Sequence, residues 1–191
     1  MPDKPSYLGL LNAVSLAESR AHAYLSAWAD VTTDPEVRAV LLTVAAREGE
    51  HGMAFAKRIN ELGFELECTD DPEFESQMAI ATSDRSDLEK AEALKLLRFC
   101  TADGEPDIFD NFFRDHSIDI RTGELLGRYI AEERDTMRLF QACHVQLSAA
   151  ATCATEPDRL AGLEEKIDTV CRAVEELRQI VCAQTMAPTG V

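Results

Sequence analysis

The stretch Ala46-Arg47-Glu48-Gly49-Glu50-His51 decides how this chain reads. It lies in a long helical run in which Val37, Leu41, Val44, Phe55, Ile59 and Leu62 recur by threes and fours. Side chains at that spacing share one face of a helix. Counting from Val37 to Leu62 passes through Glu48 and His51, so a carboxylate and an imidazole occupy the stripe that should be buried. An unpaired buried carboxylate costs roughly several kcal/mol after relaxation. A metal ion is the compensating partner that uses both side chains, since carboxylate and imidazole are ligands for divalent cations.

Upstream, residues from about 5 to 30 read as a first helix with the stripe Leu11, Val14, Ala21, Leu25 and Trp28. Glu18 falls in that stripe, four after Val14 and three before Ala21, and His22 is one turn further on. Val31-Thr32-Thr33-Asp34-Pro35 is a turn: Asp34 suits an N-cap and Pro35 the first helical position. The second helix then runs to about Leu62, with Gly63 suited to the C-terminal cap. So short a connection packs the two helices antiparallel. Glu18 stands about 14 residues before the turn and Glu48 about 14 after it; at about 1.5 Å rise per residue they share one level of the hairpin.

The chain from 64 to 83 is acidic and irregular and predicts a loop with a short helix. Ser86-Asp87-Leu88-Glu89 is a capping box that opens a third helix, expected over about residues 87 to 100. Gly104 and Pro106 break it, and residues 107–116 form a short amphipathic piece with Phe109, Phe112 and Phe113. A fourth helix is predicted over about 119 to 148, with the stripe Leu126, Ile130, Glu133, Met137, Phe140, His144 and Leu147. Placing Asp34-Pro35 on Asp119-Ile120 without a gap matches Leu41 to Leu126, Glu48 to Glu133, Phe55 to Phe140 and His51 to Thr136. The alternative register sets Glu132 against Glu48 and Asp135 against His51. It turns Arg128 and Asp135 towards the core, so Glu133 is preferred. After residues 149–156, Pro157 opens a fifth helix in which Leu160, Leu163, Ile167, Val170, Val174, Leu177 and Val181 keep a narrow heptad stripe. Such a stripe is the seam of a coiled coil or of a helix laid on a partner surface, so this helix is expected to pack on the bundle or on a partner subunit in a homodimer.

The expected fold is therefore all-α: an antiparallel four-helix bundle over residues 1–150 and an additional C-terminal heptad helix over 151–191. The 191 residues carry a formal net charge of −16, which argues against nucleic acid or an anionic membrane surface as partner. No apolar run approaches a membrane span, and residues 1–7 have no signal pattern. The six cysteines include no Cys-x-x-Cys pair, so a zinc ribbon is not indicated. Free thiols in a cytoplasmic chain are the expectation. His144 lies about 16 Å along the axis from Glu133 and reads as a packing histidine; His116 has no assigned role.

Two helical hairpins, inward carboxylates and Glu-x-x-His resemble the ferritin-like superfamily, and within it the rubrerythrin-type di-iron proteins. The carrying segments are Leu16-Ala17-Glu18-Ser19-Arg20-Ala21 and Arg47-Glu48-Gly49-Glu50-His51-Gly52-Met53-Ala54-Phe55. The resemblance implies a carboxylate and histidine site for iron, one or two ions, with manganese as the alternative metal. It implies Glu18 as the lone Glu of the first helix, Glu48 and His51 as the first Glu-x-x-His, and Glu133 as the Glu of the second. Thr136 stands where that second motif has His; Glu92, Asp103 and Glu105 are all open as the third-helix carboxylate, and no rubredoxin-like domain is present. The implied activity is that of a non-haem iron oxidoreductase handling oxygen or peroxide, or of an iron-handling protein, with a small oxidant or the metal ion itself as ligand. The reading of another class is a metal-free helical module that acts in oligomerisation or protein interaction through its C-terminal helix.

Overall fold

The computed structural model describes residues 4–97 and 108–185; in the last helix, side chains are described to Thr152, at 166–170 and at Arg172. The described residues are helical and include no strand. The elements are α1 (Leu8–Val31), α2 (Pro35–Glu61), α3 (Pro72–Ala81), α4 (Asp87–Ala93), a 3-10 helix (Ile108–Arg114) and α5 (Ile120–Thr185). The chain divides into two compact units, Met1–Leu147 and Ser148–Val191. All that follows on packing and on the site concerns the first.

The α1–α2 hairpin forms for local reasons. Asp34 Oδ1 accepts from the amides of Glu36 and Val37, and Pro35 begins α2. Gly63, at φ 86°, takes the left-handed position that follows the helix end. The two helices come unusually close at Gly52. A Cβ there would stand 2.5 Å from Ser19 Oγ and 3.1 Å from Ser19 N, and Ser15 Oγ donates to the Gly52 carbonyl at 2.8 Å.

The core is interrupted at one level. One apolar cluster gathers Leu8, Leu11, Val14, Phe55, Ile59, Leu126, Tyr129 and Ile130. Another gathers Leu25, Trp28, Val37, Leu41, Val44 and Ala81. Each fully buried Leu, Ile or Phe contributes about 1.5–3 kcal/mol. On α1 the gap between the clusters is occupied by Glu18, on α2 by Glu48 and His51, and on α5 by Glu133 and Thr136.

α5 is anchored by a polar knot at its start. Asp119 accepts from the amides of Arg121 and Thr122, from Thr122 Oγ1, from Tyr7 Oη at 2.7 Å and from Arg58 at 2.9 Å. Arg58 is itself buried on α2 and also donates to Thr122 and Glu61.

Two expected boundaries change. The third helix ends at Ala93 instead of continuing to Cys100, which lies with Asp103 and Glu105 outside the described residues. Its end is a tight reversal: the Lys95 amide bonds Glu92 O and the Leu96 amide bonds Ala91 O. Lys95 takes φ 53°, a conformation that costs an ordinary residue about 1–2 kcal/mol. The predicted fourth and fifth helices are one continuous element, α5, which passes through residues 149–157 without a break. The joining segment Ala149-Ala150-Ala151-Thr152-Cys153-Ala154 is rich in the best helix former and has no glycine. Against that run a single proline removes one backbone bond and crowds one carbonyl. Among the described residues no helix is long and apolar enough to cross a membrane. Cys68 and Cys143 are free thiols, the first exposed.

Candidate metal centre

The structure brings together the four residues singled out in the sequence. Glu18 from α1, Glu48 and His51 from α2 and Glu133 from α5 each offer one atom, and these atoms lie within 4.8 Å of one another. Glu18, Glu48 and His51 are buried, and Glu133 is mostly so. His51 Nδ1 faces Glu133 Oε1 at 3.3 Å and Glu18 Oε2 at 3.7 Å. None of these three atoms has a hydrogen-bond partner, although all three are shut off from solvent. Buried polar atoms are nearly always paired, so three orphans facing one point are the observation that needs an explanation.

The surrounding side chains fix the orientation of the ligands. His51 Nε2 lies 2.6 Å from Glu132 Oε2; with a carboxylate there, the ring nitrogen is the donor. Glu132 is in turn held by Arg128 at 2.9 Å, and Arg128 reaches Glu50 at 3.1 Å. The imidazole thus hangs from a charged chain on one side and presents Nδ1 to the cluster on the other. Tyr129 Oη donates to Glu18 Oε1 at 2.9 Å, which leaves Oε2 for the cluster. The Tyr129 ring meets His51, Phe55 and Phe109 edge-on and stacks on Phe112. This aromatic group walls one side of the polar layer.

Charge crowding shows in the acid–base behaviour. Burial, together with the neighbouring Glu18 and Glu133, pushes the Glu48 carboxyl up to about 12. Burial also raises Glu133, against the pull of His51. For Glu18 burial acts upward too, but the nearby His51 ring, the contact with Glu48 and the bond from Tyr129 outweigh it, and its value falls below the ordinary one. Burial would depress His51; its contacts with Glu133, Glu18 and Glu132 prevail and hold it at about 10. Three carboxylates cannot all ionise at this spacing, so protons are taken up in their place. This buried Glu/Glu/His/Glu group could hold a metal ion, which would replace those protons and satisfy the orphan atoms together.

The other candidates fall elsewhere. His22 is exposed and its Nδ1 bonds the Ala45 carbonyl at 2.7 Å, outside the cluster. Thr136 is buried beside the site with its Oγ1 3.4 Å from Arg47, which pairs with Asp135 at 2.7 Å. Glu92 is exposed and is not in the cluster. His144 lines a separate apolar pocket with Trp28 and Leu41, and His116 is exposed. Glu132, the residue of the rejected register, does touch His51, on the nitrogen that faces away from the cluster. Tyr129 is the functional neighbour that sequence reasoning did not single out. With Asp34 set on Asp119 it falls opposite Val44, which marks it only as a core position.

No protein-family model, no curated protein and no solved structure matches this chain.

Proposed function

We propose that this chain is a ferritin-like metal protein that binds iron, or manganese, through Glu18, Glu48, His51 and Glu133, and that the bound ion serves oxygen or peroxide chemistry or iron handling. The observation that carries the reading is the convergence of three buried, unpartnered polar atoms from three helices: Glu18 Oε2, His51 Nδ1 and Glu133 Oε1. A metal-free bundle would gain by replacing such a group with apolar residues. Iron in such a site supplies one-electron redox chemistry that no side chain offers. The protein's own contribution is positional. Glu132 sets the ring of His51, Tyr129 holds one oxygen of Glu18, and Phe55, Phe109 and Phe112 pack against the Tyr129 ring and hold it in place. Thr136, in the place of a second histidine, makes the donor set rich in carboxylate and poor in nitrogen.

The test is metal content per chain after expression in medium supplemented with iron and manganese, with Glu48→Ala and His51→Ala alongside. Bound metal in the wild-type chain that is lost in both variants supports the reading, and turnover of oxygen and peroxide would then be assayed. Wild-type-like metal in both variants, or none in the folded wild-type chain, rejects it.

A second reading has one observation in its favour. Ile167 and Val170, three residues apart on α5, are 60 % and 62 % exposed, which is the apolar face that a homodimer seam would cover. Removing residues 149–191 would then lower the mass measured by light scattering to that of a monomer.

A further inference from the structure

A cleft of about 390 Å³ adjoins the carboxylate cluster. It is lined by Glu18, Glu48 and Glu133 of the cluster, which are buried or nearly so, and by Ala13, Ala17 and Ala21 of α1, of which Ala13 and Ala17 are exposed. Facing these small residues are Phe109, Phe112, Met137 and Phe140; Arg20, Asp71, Glu73, Gln77 and Lys95 lie among the polar lining. Oxygen or peroxide, with two heavy atoms, needs roughly the room of one or two waters at about 30 Å³ each. The cleft is about ten times larger and falls in the range of small-molecule sites. Glu18, 6 % exposed, is among the lining residues.

The fixed charges at the rim are not equivalent. Arg20 is committed to Asp71 at 2.8 Å and to the Thr69 carbonyl. Lys95 is exposed and, among the described residues, its side chain makes no hydrogen bond or ion pair. It also stands at φ 53°, where glycine would sit without strain. The strained backbone holds an unpaired cation on the lining of the cleft, where it is available to an anionic group. Glu73 is the opposing charge on the same lining.

We propose that this cleft binds a small organic molecule with an apolar body and one anionic end, the body lying along Ala13, Ala17 and Ala21 and the anionic end at Lys95. The proposal rests on the metal reading for what becomes of the molecule, since it brings an organic substrate beside the metal ligands; occupancy of the cleft itself requires no metal.

The experiment is calorimetric titration of the full chain, metal-free and manganese-loaded, with decanoate, decanol and decylammonium. Decanoate is expected to bind at least tenfold more tightly than decanol, and decylammonium more weakly than either. Ala17→Phe and Ala13→Phe, which fill the cleft at two levels, should each weaken decanoate at least tenfold with helix content unchanged. Lys95→Gln should erase the preference for the acid over the alcohol, and Lys95→Arg should restore it. No binding of decanoate, binding unchanged in both cleft-filling variants, or a preference for decylammonium overturns the proposal. Metal content is measured on the same samples. Metal uptake without decanoate binding removes this inference alone, and decanoate binding without metal uptake removes the metal reading alone.

Discussion

His51 Nε2 lies 2.6 Å from Glu132 Oε2, so the imidazole is oriented by the residue next to the one it faces across the cluster. Glu132 acts on the site through the ring and not through an ion. Glu132→Gln should therefore still bind manganese, but about 10–100-fold more weakly. Glu133→Gln, which takes away a donor atom, should cost more. Titration followed by the electron paramagnetic resonance of free manganese separates the two; equal losses would mean that Glu132 is itself a ligand.

The cluster holds protons that a cation must displace. Glu48 is pushed up to about 12 and His51 up to about 10, both above their ordinary values. The folded metal-free chain therefore binds more protons than the unfolded chain between those limits. This contribution to stability is full below the ordinary carboxylate and imidazole ranges and declines as pH rises towards the folded values. Thermal melts of the metal-free protein should fall between pH 6 and pH 10. Metal loading should flatten that slope, and binding near pH 7 should release about two protons, one from each group. Calorimetry in buffers of different ionisation heat counts them.

Gly52 sets the separation of α1 and α2 one residue from His51. A methyl group there would stand 2.5 Å from Ser19 Oγ and crowd the Ser19 amide. Gly52→Ala should destabilise the chain by about 1–3 kcal/mol through overpacking and lower metal affinity by parting Glu18 from His51. Denaturant melts and metal titration on one preparation check both. Gly9→Ala, where a Cβ meets nothing within 4 Å, is the control.

Asp119→Ala should cost about 2 kcal/mol, as a helix cap and a partner of the buried Arg58 are lost together. Bonds from Thr122, Tyr7 and Arg58 overcome the upward effect of burial and hold Asp119 below the usual aspartate range. Its contribution is therefore present above about pH 4 and is lost as pH falls through the folded value. The stability gap between wild type and Asp119→Asn should narrow below that pH, and urea melts at pH 7 and pH 3 measure it.

Much of this arrangement was legible in the sequence where a repeating spacing met a chemical interruption. Val37, Leu41, Val44, Phe55 and Ile59 mark one helical face, and Glu48 and His51 stand out because they break its polarity. The equal distance of Glu18 and Glu48 from the Asp34-Pro35 turn placed them at one level. What escaped the pattern were contacts made from the flank. Neighbours on a helix diverge by about 100°, so spacing made Glu133 and Glu132 alternatives, whereas a ring with a nitrogen on each side engages both. Tyr129 was hidden because its ring belongs to the core and only its hydroxyl reaches the site. The continuity of α5 escaped as well, because Pro157 reads as a start signal when the helix-forming strength of the preceding alanines is left out of the balance.

The Tyr129 hydroxyl has a consequence for which oxygen the first helix can give. With Oε1 of Glu18 engaged at 2.9 Å, Oε2 is the one left without a partner. Oε1 keeps a second lone pair but would share its electron density with the phenol, so Oε2 would be the stronger donor to a bound cation. Tyr129→Phe would release that oxygen, so a hydroxyl on one helix biases which oxygen a carboxylate on another would offer to a cation.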